Sequence, residues 1–277
     1  MATRRVRVGA VAIGGEEPLA LIAGPCVIES RDAALRHAER VRDIAAAVGV
    51  PVVYKSSFDK ANRTSLGGFR GIGMDEGLAI LAEVRREIGV PVLTDVHEAV
   101  QAAPVAAVVD VLQTPAFLCR QTDFIVAVAR AGKPVNLKKG QFLSPAEMEQ
   151  VVGKAASTGN RDLLVTERGF AFGYNNLVAD MRSLYWMRQA GYRVIFDATH
   201  SVQRPGGAGD STSGDGILAP VLAKAAMATG CDGIFMEVHE NPARALSDGP
   251  NQIPLKDLPK HLRMLKAIHA AVSGRGD

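Results

Sequence analysis

Cysteine is scarce. The chain has three, Cys26, Cys119 and Cys231, at wide spacings. An odd number so far apart excludes a disulfide framework and points to a reducing, cytoplasmic compartment. No apolar run approaches the ~18 residues that a membrane span requires. The basic start, Met1 to Arg7, leads into Gly14, Gly15, Glu16 and Glu17, not into the apolar stretch of a signal peptide. Net charge is scant too, +3 from 32 Lys and Arg against 29 Asp and Glu. With the cations spread along the chain, neither nucleic acid nor an anionic membrane is an expected partner. No Gly-x-Gly-x-x-Gly turn follows directly on an apolar run. Gly67 to Gly73 is glycine-rich but lacks the Gly-Lys-Ser/Thr ending of a nucleotide loop.

What is present is alternation. Short, nearly continuous apolar runs occur at Leu19 to Ala23, Val50 to Tyr54, Val90 to Leu93, Val108 to Leu112, Pro134 to Leu137, Asp162 to Val165, Arg193 to Phe196 and Gly233 to Met236. Such runs are expected of strands buried on both faces. Helical patterns separate them, at Asp32 to Val48, Asp75 to Ile88, Thr122 to Ala131, Asn176 to Gln189, Ile217 to Thr229 and Leu255 to Val272. Ser144-Pro145-Ala146-Glu147 reads as a capping box with Pro at the first helical position, opening a helix toward Ser157. The helix after Val96 is the least distinct, because Pro104 shortens it. Eight strand–helix units in 277 residues, 47% of them hydrophobic, favour one domain over 1–277, a closed α/β (β/α)8 TIM barrel. An open doubly wound sheet is the runner-up. Val6 to Ile13 alternates ahead of Gly14-Gly15 and is expected to form a short N-terminal β-hairpin closing the bottom of the barrel.

Barrel enzymes build their sites where strands end. Here the strand exits carry Cys26, Lys55, Asp95, Gln113, Lys138 with Lys139, Glu167 with Arg168, Asp197 and Glu237. Lys60, Arg63, His97, His200, His239 and Asp248 follow close behind. Any one of these fits the bland reading, that charge begins where a strand leaves the core. The whole ring does not, because polar groups crowded at one mouth repel or must be desolvated. Lys55, Lys60, Arg63, Lys138 and Arg168 would converge on a substrate with more than one anionic group. Cys26, His200, Glu237 and Asp248 combine thiolate, imidazole and carboxylate, a donor set for a borderline divalent metal. A lone Cys after a strand is also an ordinary packed residue, but strands one, seven and eight become neighbours when the barrel closes. Gly206 to Gly214 follows His200 closely and reads either as a lid or as a plain connector. Cys119 and Cys231 read as inert. His37, His261 and His269 read as helix-surface or interface residues, and Tyr185 and Trp186 as packing or oligomer contacts.

The same segments resemble a known family, the 3-deoxy-D-manno-octulosonate 8-phosphate synthases. The matching strings are AGPCVIES (23–30), YKSSFDKANRTS (54–65), LTDVH (93–97), LQTPAFLCRQTD (112–123), VNLKKGQFLSP (135–145), TERGFAFGYNNLVADMRSL (166–184), FDATHSVQRPGG (196–207), MEVHENP (236–242) and LSDGPNQ (246–252). The resemblance implies a transferase of lipopolysaccharide biosynthesis that joins phosphoenolpyruvate to D-arabinose 5-phosphate, with water added and phosphate released. It implies that Lys55, Ser57, Lys60, Gln113, Lys138 and Arg168 hold phosphoenolpyruvate. Asn62, Arg63 and Thr64 would contact the aldose phosphate, with Asp95, Pro115 and Phe117 lining the sugar side. Arg120 would reach into a neighbouring subunit's site, so a homotetramer is expected. His200, Lys60, Asp95 and Asp248 would be catalytic, with His200 or a metal-bound water as the candidate general acid. Cys26, with Ser247 before Asp248, places the chain with the metal-dependent branch, using Zn, Fe, Mn or Co. The departures are Thr64, where Ser is commoner, and Leu66-Gly67-Gly68. The nearest rival is a 3-deoxy-D-arabino-heptulosonate 7-phosphate synthase acting on erythrose 4-phosphate, which typically has Pro where this chain has Asn62. A metal-dependent hydrolase and a non-catalytic sugar-phosphate binder are the other readings. The first would usually carry a His-x-His pair where Pro25-Cys26-Val27 stands.

Overall fold

The computed structural model describes residues 5–207, 209 and 212–274. Met1 to Arg4 of the basic start, and part of the Gly206 to Gly214 segment, lie outside the described residues.

The apolar runs form eight parallel strands: β1 (Ala20–Gly24), β2 (Val52–Lys55), β3 (Val92–Asp95), β4 (Val111–Thr114), β5 (Val135–Lys138), β6 (Leu163–Glu167), β7 (Arg193–Asp197) and β8 (Gly233–His239). Each pairs with the next, and β8 pairs with β1 from Gly233↔Ala20 to Glu237↔Gly24. The sheet is therefore closed, as expected for a (β/α)8 barrel, and the open-sheet alternative falls. The strands end one to three residues later than the apolar runs, and six of the eight also begin later. Seven of the eight end on a polar residue, which carries the pairing past the apolar run.

The helices are α1 (Arg31–Val48), α2 (Met74–Glu83), α3 (Ala102–Val108), α4 (Thr122–Arg130), α5 (Met148–Ala156), α6 (Met181–Gln189), α7 (Ala219–Thr229) and α8 (Leu258–Val272). Ser30 caps α1 by accepting from Ala33 N–H at 3.3 Å, and Gly49 ends it in a left-handed turn. The Ser144–Glu147 box forms, with Ser144 N–H and Oγ donating to Glu147 at 2.8 and 2.9 Å, although regular helix starts at Met148. The pattern at Asp75 to Ile88 ends in a π-helical turn, Val84–Ile88. The expected helix from Asn176 starts at Met181, because Phe170–Ala171 and Leu177–Val178 form a small antiparallel ladder first.

Strand side chains alternate between faces with a period of two, and that period organises the whole interior. One parity forms the main core against the helices, including Leu21, Tyr54, Val92, Leu112, Val165 and Phe196. The other parity points into the lumen. Ala20, Ile22, Val53, Leu93, Val111, Leu164, Ile195 and Phe235 make an apolar floor with Val6, Val8, Val11 and Ile13. Those four belong to the N-terminal hairpin, Val6–Val8 paired with Val11–Ile13, which plugs the lower end of the barrel. Two residues further along the same strands, the lumen parity turns polar. It gives Lys55, Asp95, Gln113, Asn136 with Lys138, Thr166, Asp197 and Glu237, all buried.

Candidate active site

A cleft of about 580 Å³ opens at this polar end. Of the residues singled out in the sequence, Lys55, Lys60, Asn62, Arg63, Thr64, Asp95, His97, Gln113, Pro115, Phe117, Lys138, Arg168, His200, Ser247 and Asp248 line it. Ser57 does not; it is buried, and its hydroxyl donates to Asp95. Arg120 is exposed and lies away from the cleft of its own chain.

Gly24 makes the approach to Cys26 possible. A Cβ there would sit 2.0 Å from the carbonyl oxygen of Lys55, so a side chain would push β1 and β2 apart. Just beyond, Lys55 Nζ donates to the Cys26 carbonyl at 2.9 Å and to Glu237 at 2.9 Å. Asp95 accepts from Gln113 Nε2 at 2.5 Å. Gln113 Oε1 accepts from Asn136 at 2.7 Å, and Asn136 Oδ1 from Thr166 Oγ1 at 2.6 Å. This ladder of neutral side chains fixes Asp95 and Gln113 across four strands. Burial works against ionising Asp95, but Lys55 and Lys60 outweigh it and hold the carboxyl well below its ordinary range. Burial likewise opposes the charge on Lys60, yet Cys26, Glu237, Asp95 and Asp248 around it raise its pKa above the usual lysine value. Lys138 moves the other way, because burial dominates even over its ion pair with Asp197.

Cys26, Glu237 and Asp248 bring one ligand atom each to within 4.8 Å of the others. His200 stands beside this group, with Nε2 3.5 Å from Glu237 and 3.9 Å from Asp248. Its Nδ1 is 2.7 Å from Asp197 Oδ2, and an Nδ1–H bond there leaves the Nε2 lone pair facing the carboxylates. Asp248 adopts a left-handed backbone, φ 50°, which aspartate tolerates at some cost and which active sites often contain. Its loop is tied down by Leu246 N–H donating to Glu29 at 2.9 Å and by Gln252 Nε2 donating to the Ser247 carbonyl at 2.8 Å. Without an ion, burial and then Glu237 push the Cys26 thiol up to about 12. Burial alone would raise Glu237, but His200, Lys55 and Lys60 bring it down to about 2. One thiol, two carboxylates and an oriented imidazole around one point fit a divalent transition metal.

Three of the ring residues serve elsewhere. Lys139 and Glu167 lie on the outward parity and pair with each other at 3.5 Å. Lys139 also donates to the Leu143 carbonyl at 2.9 Å, and Glu167 accepts from Gly169 N–H and Ser183 Oγ. His239 is buried against Glu29 at 3.4 Å and against the ring of His37. His37 is therefore buried, not a surface residue. Cys119 and Cys231 are buried free thiols. Gln141 and Gln203 line the cleft and had no assignment. The signal for them is their place in the family strings, three residues after Lys138 and three after His200.

Residues 3–273 match the family described as "DAHP synthetase I family". The chain is 59% identical over 270 residues to the 2-dehydro-3-deoxyphosphooctonate aldolase of Trichlorobacter lovleyi, covering 98% of this chain and 99% of the relative. It is 62% identical over 262 residues to the protein of that name from Acidithiobacillus ferrooxidans, covering 95% and 93%. It is 58% identical over 269 residues to that of Geotalea uraniireducens, covering 97% and 99%. With similarity of this degree along nearly the whole length of both partners, the chain belongs to the DAHP synthetase I family and groups within it with the 2-dehydro-3-deoxyphosphooctonate aldolases.

Proposed function

We propose that the chain is a carbon–carbon bond-forming transferase for lipopolysaccharide biosynthesis. It condenses phosphoenolpyruvate with D-arabinose 5-phosphate and water, giving 3-deoxy-D-manno-octulosonate 8-phosphate and inorganic phosphate. The observation that carries this reading is one lumen in which Lys55, Lys60, Arg63, Lys138 and Arg168 share a cleft with Asp248 and His200 of the metal-fitting group. The relatives' name speaks for the eight-carbon product over the erythrose 4-phosphate alternative.

In this reading C3 of phosphoenolpyruvate bonds to the aldehyde carbon, and the aldehyde oxygen takes a proton. Water adds at C2, and the C2–O bond to phosphate breaks as the ketone forms. Lys138 and Arg168 hold the carboxylate and phosphate of phosphoenolpyruvate, with Lys55, Gln113 and Lys60 completing that half. Ser57 acts through Asp95. Asn62, Arg63 and Thr64 hold the sugar phosphate, and Pro115 and Phe117 flank the sugar. Fixing both anions in attack geometry can recover about 7–11 kcal/mol of the barrier. Cys26, His200, Glu237 and Asp248 hold the ion, Zn, Fe, Mn or Co. Such an ion, when bound, supplies Lewis-acid polarisation of a carbonyl or activation of water. The ligand role uses the His200 nitrogen that a general acid would need. We therefore assign the proton to Lys60, a cation that lines the cleft.

The whole chain, 1–277, acts as one barrel domain in the cytoplasm, consistent with buried free thiols and with no helix, among the described residues, long and apolar enough to cross a membrane. Arg120, exposed beside the exposed Phe117, serves the cleft of a neighbour in a homotetramer. Phosphate release with each aldose phosphate tests the reading. Release is expected with arabinose 5-phosphate, lost on chelation and restored by Mn2+. Release with erythrose 4-phosphate alone would overturn the substrate assignment, and full turnover in a verified metal-free sample would overturn the metal.

A further inference from the structure

Gln203 has no part in the scheme above, yet it touches both halves of the site. Its Oε1 accepts from Arg168 Nη2, and its Nε2 donates to Asp248 Oδ2 at 3.2 Å. The partners fix which way the amide faces. Turned over, it would set its NH2 against a guanidinium and its carbonyl against a carboxylate. The backbone is held as well, because Gln203–Arg204 pairs with Ser213–Gly214 in a short antiparallel ladder.

Each partner keeps spare capacity on the side of the cleft. Asp248 Oδ2 is the oxygen that lies 3.4 Å from Cys26 Sγ and 3.9 Å from His200 Nε2. A carboxylate oxygen can accept one hydrogen bond and still offer a lone pair to an ion. Arg168 has Nη2 committed to Gln203, while Nη1 is buried with no hydrogen-bond partner among the described residues. A buried, unpartnered guanidinium donor is costly unless an anion fills it.

We propose that Gln203 is a positioning residue that couples the ion site to the phosphoenolpyruvate site, through an amide bonded to Asp248 at one end and Arg168 at the other. The proposal rests on the reading of the cleft given above. Either ligand fixes one end of the Asp248–Gln203–Arg168 chain, so the second meets a partner already in place. Linkage makes the effect mutual. The ion tightens phosphoenolpyruvate by the factor by which phosphoenolpyruvate tightens the ion.

The test is titration calorimetry on chelator-stripped whole protein, using Mn2+ with and without phosphoenolpyruvate, and the reverse. In the wild type each ligand is expected to tighten the other at least about 5-fold, the low end of usual coupling. Gln203→Met keeps the size and loses both bonds. Each ligand should still bind alone, but the mutual effect should shrink by at least about 3-fold. Gln203→Glu keeps the acceptor for Arg168 and loses the donor to Asp248, so it should also lose coupling; it keeps the test decisive if the Met variant does not fold. Unchanged coupling in both variants, or wild type that binds both ligands independently, overturns the role of Gln203 and leaves the functional reading standing. Wild type that binds neither Mn2+ nor phosphoenolpyruvate overturns the functional reading itself, and this inference with it.

Discussion

Lys138 and Lys139 are neighbours in sequence, and both are buried in ion pairs, yet they belong to different parts of the molecule. Lys138 faces the lumen, pairs with Asp197 at 2.5 Å and lines the cleft. Lys139 faces the helix layer, pairs with Glu167 at 3.5 Å and joins the loop at Leu143 to the base of α6 through Glu167 and Ser183. Residue type does not separate them, nor does burial; the two-residue period of the strand does. The lumen pair has an incoming anion to serve. The outer pair ties the frame together.

That contrast can be broken by substitution. The largest effect is expected from Lys138→Met. It removes a preorganised cation, worth about 10²–10³ in kcat. It also leaves Asp197 buried without its lysine, a loss of about 3–5 kcal/mol in folding stability. Rapid-quench phosphate release and urea denaturation measure the two parts. Glu167→Leu should cost a similar 3–5 kcal/mol in denaturation, because Lys139 loses its counter-charge. Turnover per folded molecule should fall far less than in Lys138→Met, since Glu167 pairs with Lys139 and does not line the cleft. Adding Lys139→Met to Glu167→Leu should restore most of the stability, because apolar replacement of a buried pair is often neutral. A large kcat defect in Glu167→Leu would show that the two faces are not separate.

Two smaller effects concern protons. A thiol pushed up to about 12 must lose its proton to bind an ion, so each ion should release about one proton from Cys26. Ion affinity should therefore rise about tenfold per pH unit through the neutral range. Calorimetry in buffers of different ionisation enthalpy reads that proton directly. The smallest effect lies outside the lumen. Glu29 raises the pKa of His239 above 6.5, while burial works against ionising Glu29, whose own value His239 and Leu246 N–H bring below 4.5. The histidine's contribution is full below the unfolded histidine pKa and fades as pH rises through the folded value. The glutamate's contribution fades as pH falls through its depressed value. Wild type should thus exceed His239→Gln in stability most between those two values, and least in mild alkali.

Much of this was legible in the chain. The apolar runs marked the eight strands, and their polar ends marked the lumen set Lys55, Asp95, Gln113, Lys138 and Glu237 with the nearby His200 and Asp248. What was not legible follows from geometry between distant segments. Strand-end position alone groups Lys139 and Glu167 with the ring, and only strand parity separates them from it. Ser57 matched the family string, but its hydroxyl is spent on Asp95, a partner 38 residues away. Gln203 and Gln141 carry no charge and stand beyond the strand ends, so only the family strings reach them. His37 sits on a helix whose period alone does not reveal that His239 covers it.

The most direct test of the central claim, that distant residues meet at one rim to hold an ion beside two phosphorylated substrates, is anomalous diffraction from crystals soaked in Mn2+ and phosphoenolpyruvate. The account predicts one strong peak in bonding contact with Cys26 Sγ, His200 Nε2, Glu237 and Asp248, and the phosphoenolpyruvate beside it against Lys138 and Arg168. A peak elsewhere, or a phosphoenolpyruvate bound away from those two cations, would contradict it.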